Sequence, residues 1–241
     1  MLFDQVEYEV RCEWGLAGLR VLGPVTDVAI IVDILSFSTA VDVAVARGAA
    51  IFPYPWKDES APEFARSKGA LLASKRSHAA GYSLAPASLA TIPHDAALVL
   101  PSTNGSTLCR ESRAATTFTA CLRNCEAVAR RVADFGATIA VIPAGEQWAD
   151  GTLRPSLEDL AGAGAVLAGL RGRRSPEAEL AVSVFERFRN DLAGVLSRCS
   201  SGKELIDRGF PSDIAMAVDY GTSAAVPLLR GGRFVNAALG V

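Results

Sequence analysis

Residues 27–48 read DVAIIVDILSFSTAVDVAVARG. The first seven, Asp27–Asp33, are an apolar and mostly β-branched run bounded by acids, the pattern of a strand buried on both faces. Ser36, Ser38 and Thr39 follow, then an apolar-rich stretch to Arg47 and Gly48, which predicts a capped helix closed by a C′ glycine. A strand that turns directly into a helix is the repeating unit of an α/β protein.

The same alternation continues outward. Ile51–Tyr54 reads as a strand, Ser60–Lys68 as a helix with Gly69 behind it, and Ala70–Ser74 and Ala97–Leu100 as strands, the latter ahead of a turn at Ser102–Thr107. Asn124 stands where it would cap a helix whose Val128, Val132 and Phe135 share a face, Thr138–Pro143 is a strand, and Ser156 opens a helix from Leu157 to Leu170. Within that helix the run Ala161-Gly162-Ala163-Gly164-Ala165 costs about 1 kcal/mol per glycine, which predicts close packing against another backbone. Ser175-Pro176 starts a long amphipathic helix in which Ala181, Val184, Phe185, Phe188, Leu192 and Val195 recur every three or four positions. Leu228–Val235 centres two glycines between apolar flanks, as a two-residue hairpin does. The expectation is an α/β protein, layered α/β/α around a mixed, mainly parallel sheet, as one domain over residues 1–241. Gly145–Pro155 reads as a mobile loop over the active site.

At 241 residues the chain can bury roughly 70–75% of its unfolded surface without staples. Half its residues are apolar, 21% are charged and the formal net charge is −2, so nothing points to a nucleic-acid partner. The densest basic cluster, Arg171, Arg173 and Arg174, follows a predicted helix end, where cations complement the dipole. The start of the chain has no leader pattern, the run Val28–Val32 is too short for a bilayer, and five cysteines without a Cys-x-x-Cys pair predict a reduced, cytoplasmic protein with no membrane association. Those cysteines read as small core residues. The two histidines, His78 and His94, exclude a multi-histidine zinc site and make carboxylates the expected ligands of any metal.

Asp33 ends a buried strand, where open α/β sheets form their ligand crevice. It could ligate Mg²⁺, act as a base, or cap the turn behind it. The absence of Asp-x-Asp, since Ile34 and Leu35 follow Asp33, disfavours an aspartyl-phosphate mechanism. Ser102-Thr103-Asn104-Gly105-Ser106-Thr107 could present backbone N–H groups and hydroxyls to an anion, or be a polar turn. Glu158 and Asp159 open a helix, a spacing that favours capping with Ser156 over Mg²⁺ ligation.

Six segments together resemble the 2-phosphosulfolactate phosphatases. They are VDILSFSTAVDVAVARGA from Val32, STNGST from Ser102, RNCEAVA from Arg123, PAG from Pro143, SLEDLAGAGAV from Ser156 and SDIAMAVD from Ser212. They occur in the family's order across Thr26 to Pro227. The resemblance implies an Mg²⁺-dependent enzyme of coenzyme M biosynthesis that releases phosphate from 2-phosphosulfolactate or another small phosphorylated acid. It implies that Asp33, Glu158 and Asp159 are catalytic and hold Mg²⁺. Substrate binding would fall to Thr103, Asn104, Gly105 and Ser106, to Ser36 and Ser38 at the helix start, and to Arg76. Three departures surround these residues. Asp33-Ile34-Leu35-Ser36 replaces a typical Asp-Val-Leu-Arg, Ser74-Lys75-Arg76 a typical Gly-Glu-Arg, and Gly81–Ser88 a typical Gly-Phe-Asp-x-Gly-Asn-Ser-Pro. The lost arginine removes an anion clamp that Arg76 or Arg154 could restore if folded nearby. A small-anion binding protein without turnover is the alternative reading. A homodimer is compatible with a chain of this size.

Overall fold

The computed structural model describes residues 2–55, 59–76 and 81–239. In chain order the elements are β1 (Val10–Cys12), α1 (Gly15–Leu22), β2 (Val28–Val32), α2 (Phe37–Ala46), β3 (Ala50–Tyr54), α3 (Ser60–Ser67) and β4 (Leu71–Leu72). The middle of the chain forms β5 (Ala97–Pro101), α4 (Gly105–Glu111), β6 (Thr116–Ala120), α5 (Cys125–Val132), β7 (Ile139–Pro143), β8 (Glu146–Gln147) and β9 (Leu153–Arg154). Then come α6 (Leu157–Ala168), α7 (Pro176–Phe188), α8 (Leu192–Arg198), α9 (Ser200–Asp207), α10 (Pro211–Ala217), β10 (Pro227–Arg230) and β11 (Arg233–Asn236).

The strand read first from the sequence is the centre of one parallel group: β2 pairs in parallel with β7 and β6 on its two sides. The whole sheet runs β1-β7-β2-β6-β10-β11-β3-β5-β4, with β3, β5 and β4 also mutually parallel. The antiparallel hairpin β10–β11 joins the two groups through Phe118 opposite Leu228 and Phe234 opposite Ile51. Its turn places Gly231 and Gly232 at φ of 57° and 79°, the two positive values that a type I′ turn requires. The sheet is thus mixed and mostly parallel, as expected.

Every residue of β2 is fully buried, and alternate residues enter different cores. Val28, Ile30 and Val32 pack with Val128, Val166 and Phe185 of α5, α6 and α7, whereas Ala29 and Ile31 pack with Leu19, Val41 and Leu108 of α1, α2 and α4. Helices on both faces of the sheet explain why β2 carries no polar residue. Burying a side chain such as Ile30 stabilises the fold by about 1.5–3 kcal/mol, so this two-sided strand anchors both layers.

Several expectations are corrected. The helix predicted from Ser175 to Val195 is two helices: Asp191 Oδ1 accepts from Gly194 N at 3.2 Å and restarts the chain as α8 after a 3₁₀ turn. Asn124 and Ser156 precede α5 and α6, yet neither side chain caps its helix. Asn124 Oδ1 instead accepts from Cys121 N at 2.8 Å. Gly145–Pro155 folds as the small hairpin β8–β9, closed by Trp148 N donating to Thr152 O. The close approach predicted for the α6 glycines is present, since a Cβ on Gly164 would stand 2.0 Å from Ala181 O of α7. Arg174 donates to the carbonyls of Leu167, Ala168 and Leu170 at the end of α6, the helix-end role read for the basic cluster. All five cysteines are buried and none is disulfide-bonded. Among the described residues no helix is long and apolar enough to cross a membrane.

Candidate active site

The site grows from the point where β2 ends. Asp33 Oδ1 accepts from Phe37 N at 3.2 Å in the first turn of α2, and Oδ2 accepts from Gly105 N at 2.9 Å in the first turn of α4. One carboxylate therefore occupies the starts of two helices, where orphan N–H groups and the dipole favour negative charge. This changes the reading of the Asn104–Gly105 turn: the anion held there is the chain's own Asp33. Glycine is required at 105, because a Cβ would lie 2.3 Å from Phe37 Cδ1 and 2.8 Å from Asp33 Oδ2. Burial raises the Asp33 pKa, the two backbone bonds pull it down, and the charge of Glu158 pushes it up again.

Asp159 makes a second clamp. Its Oδ1 accepts from Ile34 N at 2.7 Å, and its Oδ2 accepts from Gly145 N at 2.9 Å and from Ser156 Oγ at 2.8 Å. The residue read as half of a helix cap thus ties the loops after β2 and β7 to α6. Burial, and then the charges of Asp33 and Glu158, hold its pKa well above the carboxylate range. Glu158, also buried, has its Oε2 against Cys199 Sγ at 3.3 Å. The Cys199 thiol is pushed up to about 12, by burial first and by Glu158 second.

The predicted substrate-binding residues separate into two groups. Ser36 Oγ accepts from Arg76 Nη2 at 2.6 Å, so the guanidinium reaches the start of α2. Arg76 Nε lies 3.2 Å from Asp213 Oδ2, and burial pushes Asp213 up to about 6 against the pull of Arg76. Asn104 Nδ2 donates to Glu146 Oε2 at 2.9 Å. By contrast Ser38 and Ser106 are fully buried. Ser38 Oγ accepts from Asp33 N at 2.8 Å and bonds Thr119 Oγ1 at 2.7 Å, while Ser106 Oγ donates to Leu100 O at 3.2 Å. Thr103 is exposed, and its carbonyl accepts from Thr107 Oγ1. His94 pairs with Asp95 on the surface, and His78 lies outside the described residues.

Glu146 is the member that sequence reasoning missed. Burial, followed by the charge of Asp33, pushes it up to about 7. It directly follows β7 and Gly145, and the strand-end rule that singled out Asp33 would have found it. Opposite it in the β8–β9 ladder is Arg154, whose guanidinium donates to Ser201 Oγ at 3.1 Å and whose charge lowers the Glu146 pKa.

Asp33, Glu146, Glu158 and Asp159 therefore press their charges on one another, yet they do not form a metal-ligand set as placed. Among the described residues no group of three or more His, Cys, Asp or Glu side chains could hold a metal ion. The four oxygens of Asp33 and Asp159 are already engaged by backbone N–H donors and Ser156.

Fold and site together define a mixed-sheet α/β protein with a buried acidic cluster at its strand ends and arginines at the margins. The chain belongs to the 2-phosphosulpholactate phosphatase family, whose model matches residues 21–232. It is 28% identical over 210 residues to the 2-phosphosulfolactate phosphatase of Methanothermobacter thermautotrophicus, covering 85% of this chain and 87% of that one. It is 34% identical over 132 residues to a probable 2-phosphosulfolactate phosphatase of Gloeobacter violaceus, a match that spans 54% of each chain.

Proposed function

We propose that this chain hydrolyses the phosphate monoester of a small phosphorylated acid, with 2-phosphosulfolactate as the first substrate to test. The observation that carries the reading is Glu146, an acid that keeps its proton to about pH 7 and is oriented by Asn104 beside Asp33. Ester hydrolysis leaves charge on the departing oxygen, and a placed general acid accelerates such a step by about 10²–10⁴. Glu146 gives its proton to that oxygen as the P–O bond breaks. Glu158 takes a proton from the water whose oxygen forms the new bond to phosphorus, so the products are the alcohol and inorganic phosphate. Arg76, bonded to Ser36 Oγ, faces the substrate's acid group, and a guanidinium can bind such an oxyanion through two parallel N–H bonds. Asp33 and Asp159 fix the loops that carry these groups.

A requirement for Mg²⁺ rests on the family resemblance and on the repulsion among four clustered acids, and no step above depends on the ion. The test is phosphate release from a panel of 2-phospho acids with Mg²⁺ and with chelator, followed against pH. A raised acid works only while protonated, so kcat should fall as pH rises through about 7. Glu146→Gln should lower kcat by about 10²–10⁴ and remove that limb. Folded protein that binds the phospho acids and releases no phosphate would replace this reading with that of an anion-binding protein.

A further inference from the structure

A cavity of about 710 Å³ adjoins the acidic cluster through Arg76. Its apolar wall includes Leu72, Leu84 and Phe210, and Lys75, Arg76 and Arg208 bring positive charge to it. The wall is fixed in place: Ala73 N donates to Val99 O at 2.9 Å, Ser74 N to Tyr82 O at 2.8 Å, and Arg76 Nη2 to Leu84 O at 3.4 Å. The Arg76 guanidinium also stands 5.8 Å from the centroid of the Phe210 ring. One arginine thus lines the cavity and also reaches Ser36 at the margin of the acidic cluster.

A three-carbon acid would fill only part of this volume. Cavities of roughly 300–1,000 Å³ enclose drug-sized ligands on mainly apolar walls. Leu72 is 36% exposed on this wall, apolar surface that a ligand would cover. The three charges are matched unequally within the protein. Arg76 is paired with Asp213, and Arg208 pairs with Glu204 only at an exposed rim, where such pairs are weak. Lys75 has no ion-pair partner among the described residues.

The geometry points to a substrate whose phosphorylated carbon carries a ring-sized apolar body ending in a second acid, with the phosphoryl group at the acidic cluster and the body in this cavity. The inference rests on the phosphatase reading above and extends it to substrate class. Phe210, Leu72 and Leu84 take the body, and Lys75 takes the distal acid.

The experiment compares kcat/KM for phosphate release from 2-phospholactate, 2-phospho-3-phenyllactate and the para-carboxy derivative of the latter. Binding of the three unphosphorylated acids is read by calorimetry. The second substrate should exceed the first by about tenfold, and the third should exceed the second. Lys75→Glu should collapse the ratio of third to second, and because both rates come from one preparation, partial loss of folded protein cancels. Equal kcat/KM across the panel overturns the inference and leaves the phosphatase reading standing. No phosphate release, with both ring acids bound more tightly than lactate, overturns the phosphatase reading and supports the cavity assignment. No release with equal binding overturns both.

Discussion

Asp33 accepts the first N–H groups of two helices, at Phe37 and at Gly105, 4 and 72 positions further along the chain, so its removal acts on structure and chemistry together. Asparagine keeps the size but offers one acceptor and one donor. In Asp33→Asn an amide N–H must therefore face either Phe37 N or Gly105 N, leaving a buried donor unsatisfied at a cost of about 1–3 kcal/mol. We expect a lower Tm as well as lost activity, whereas Glu146→Gln should lose activity with a smaller change in Tm. Thermal unfolding alongside kcat separates the two, and an unchanged Tm in Asp33→Asn would refute the bridging role. Asp33 is legible in the sequence because a lone acid closes an apolar strand. Glu146 also stands just past a strand end, but its segment has loop-like composition, and its contact with Asn104, 42 residues away, is one that no local pattern encodes.

Elements meet at α6 through two glycines with different neighbours. A Cβ on Gly164 would stand 2.0 Å from the carbonyl oxygen of Ala181, which is backbone and cannot swing aside. A Cβ on Gly162 would meet only side chains, Ile34 Cδ1 at 2.4 Å and Cγ1 at 2.7 Å and Val32 Cγ1 at 3.0 Å. Alanine gains about 1 kcal/mol of helix propensity at either site, and overpacking costs about 1–3 kcal/mol where nothing yields. Gly164→Ala should therefore lower the denaturant midpoint more than Gly162→Ala does; the reverse order would contradict the packing of α6 on α7. Such glycines announce themselves, since an uncapped cost inside a helix needs a reason. Periodicity is a poorer guide to breaks. The apolar repeat from Ala181 to Val195 runs straight through the 3₁₀ turn after Phe188 and through Asp191, whose cap on Gly194 starts the next helix. The strand β6, Thr-Thr-Phe-Thr-Ala, went unread because its threonines look polar. In the fold Thr119 Oγ1 satisfies Ile31 O at 2.9 Å and bonds Ser38, which makes a hydroxyl suitable for a buried strand.

At the scale of the whole molecule the buried acids set how stability depends on pH. Glu146 is pushed up to about 7 and Asp213 to about 6, while Asp33, Asp42 and Asp159 are raised as well, all chiefly by burial. Each binds its proton more tightly folded than unfolded, so this stabilisation is fully present below the ordinary carboxylate range and is lost as pH rises through the folded values. The lowered acids Asp4, Glu9, Asp27 and Asp150 act oppositely, but their contribution is complete above the ordinary values of 3.8 to 4.5 and leaves the range between pH 5 and 8 to the buried groups. At roughly 1.4 kcal/mol per unit separating folded from unfolded ionisation, Glu146 and Asp213 alone weaken the fold by a few kcal/mol at pH 8. With about 2–4 °C of Tm per kcal/mol for a chain of this size, Tm should be about 5–10 °C lower at pH 8 than at pH 5.5. The difference should shrink in Glu146→Gln, and a Tm that holds or rises over this range would refute the argument.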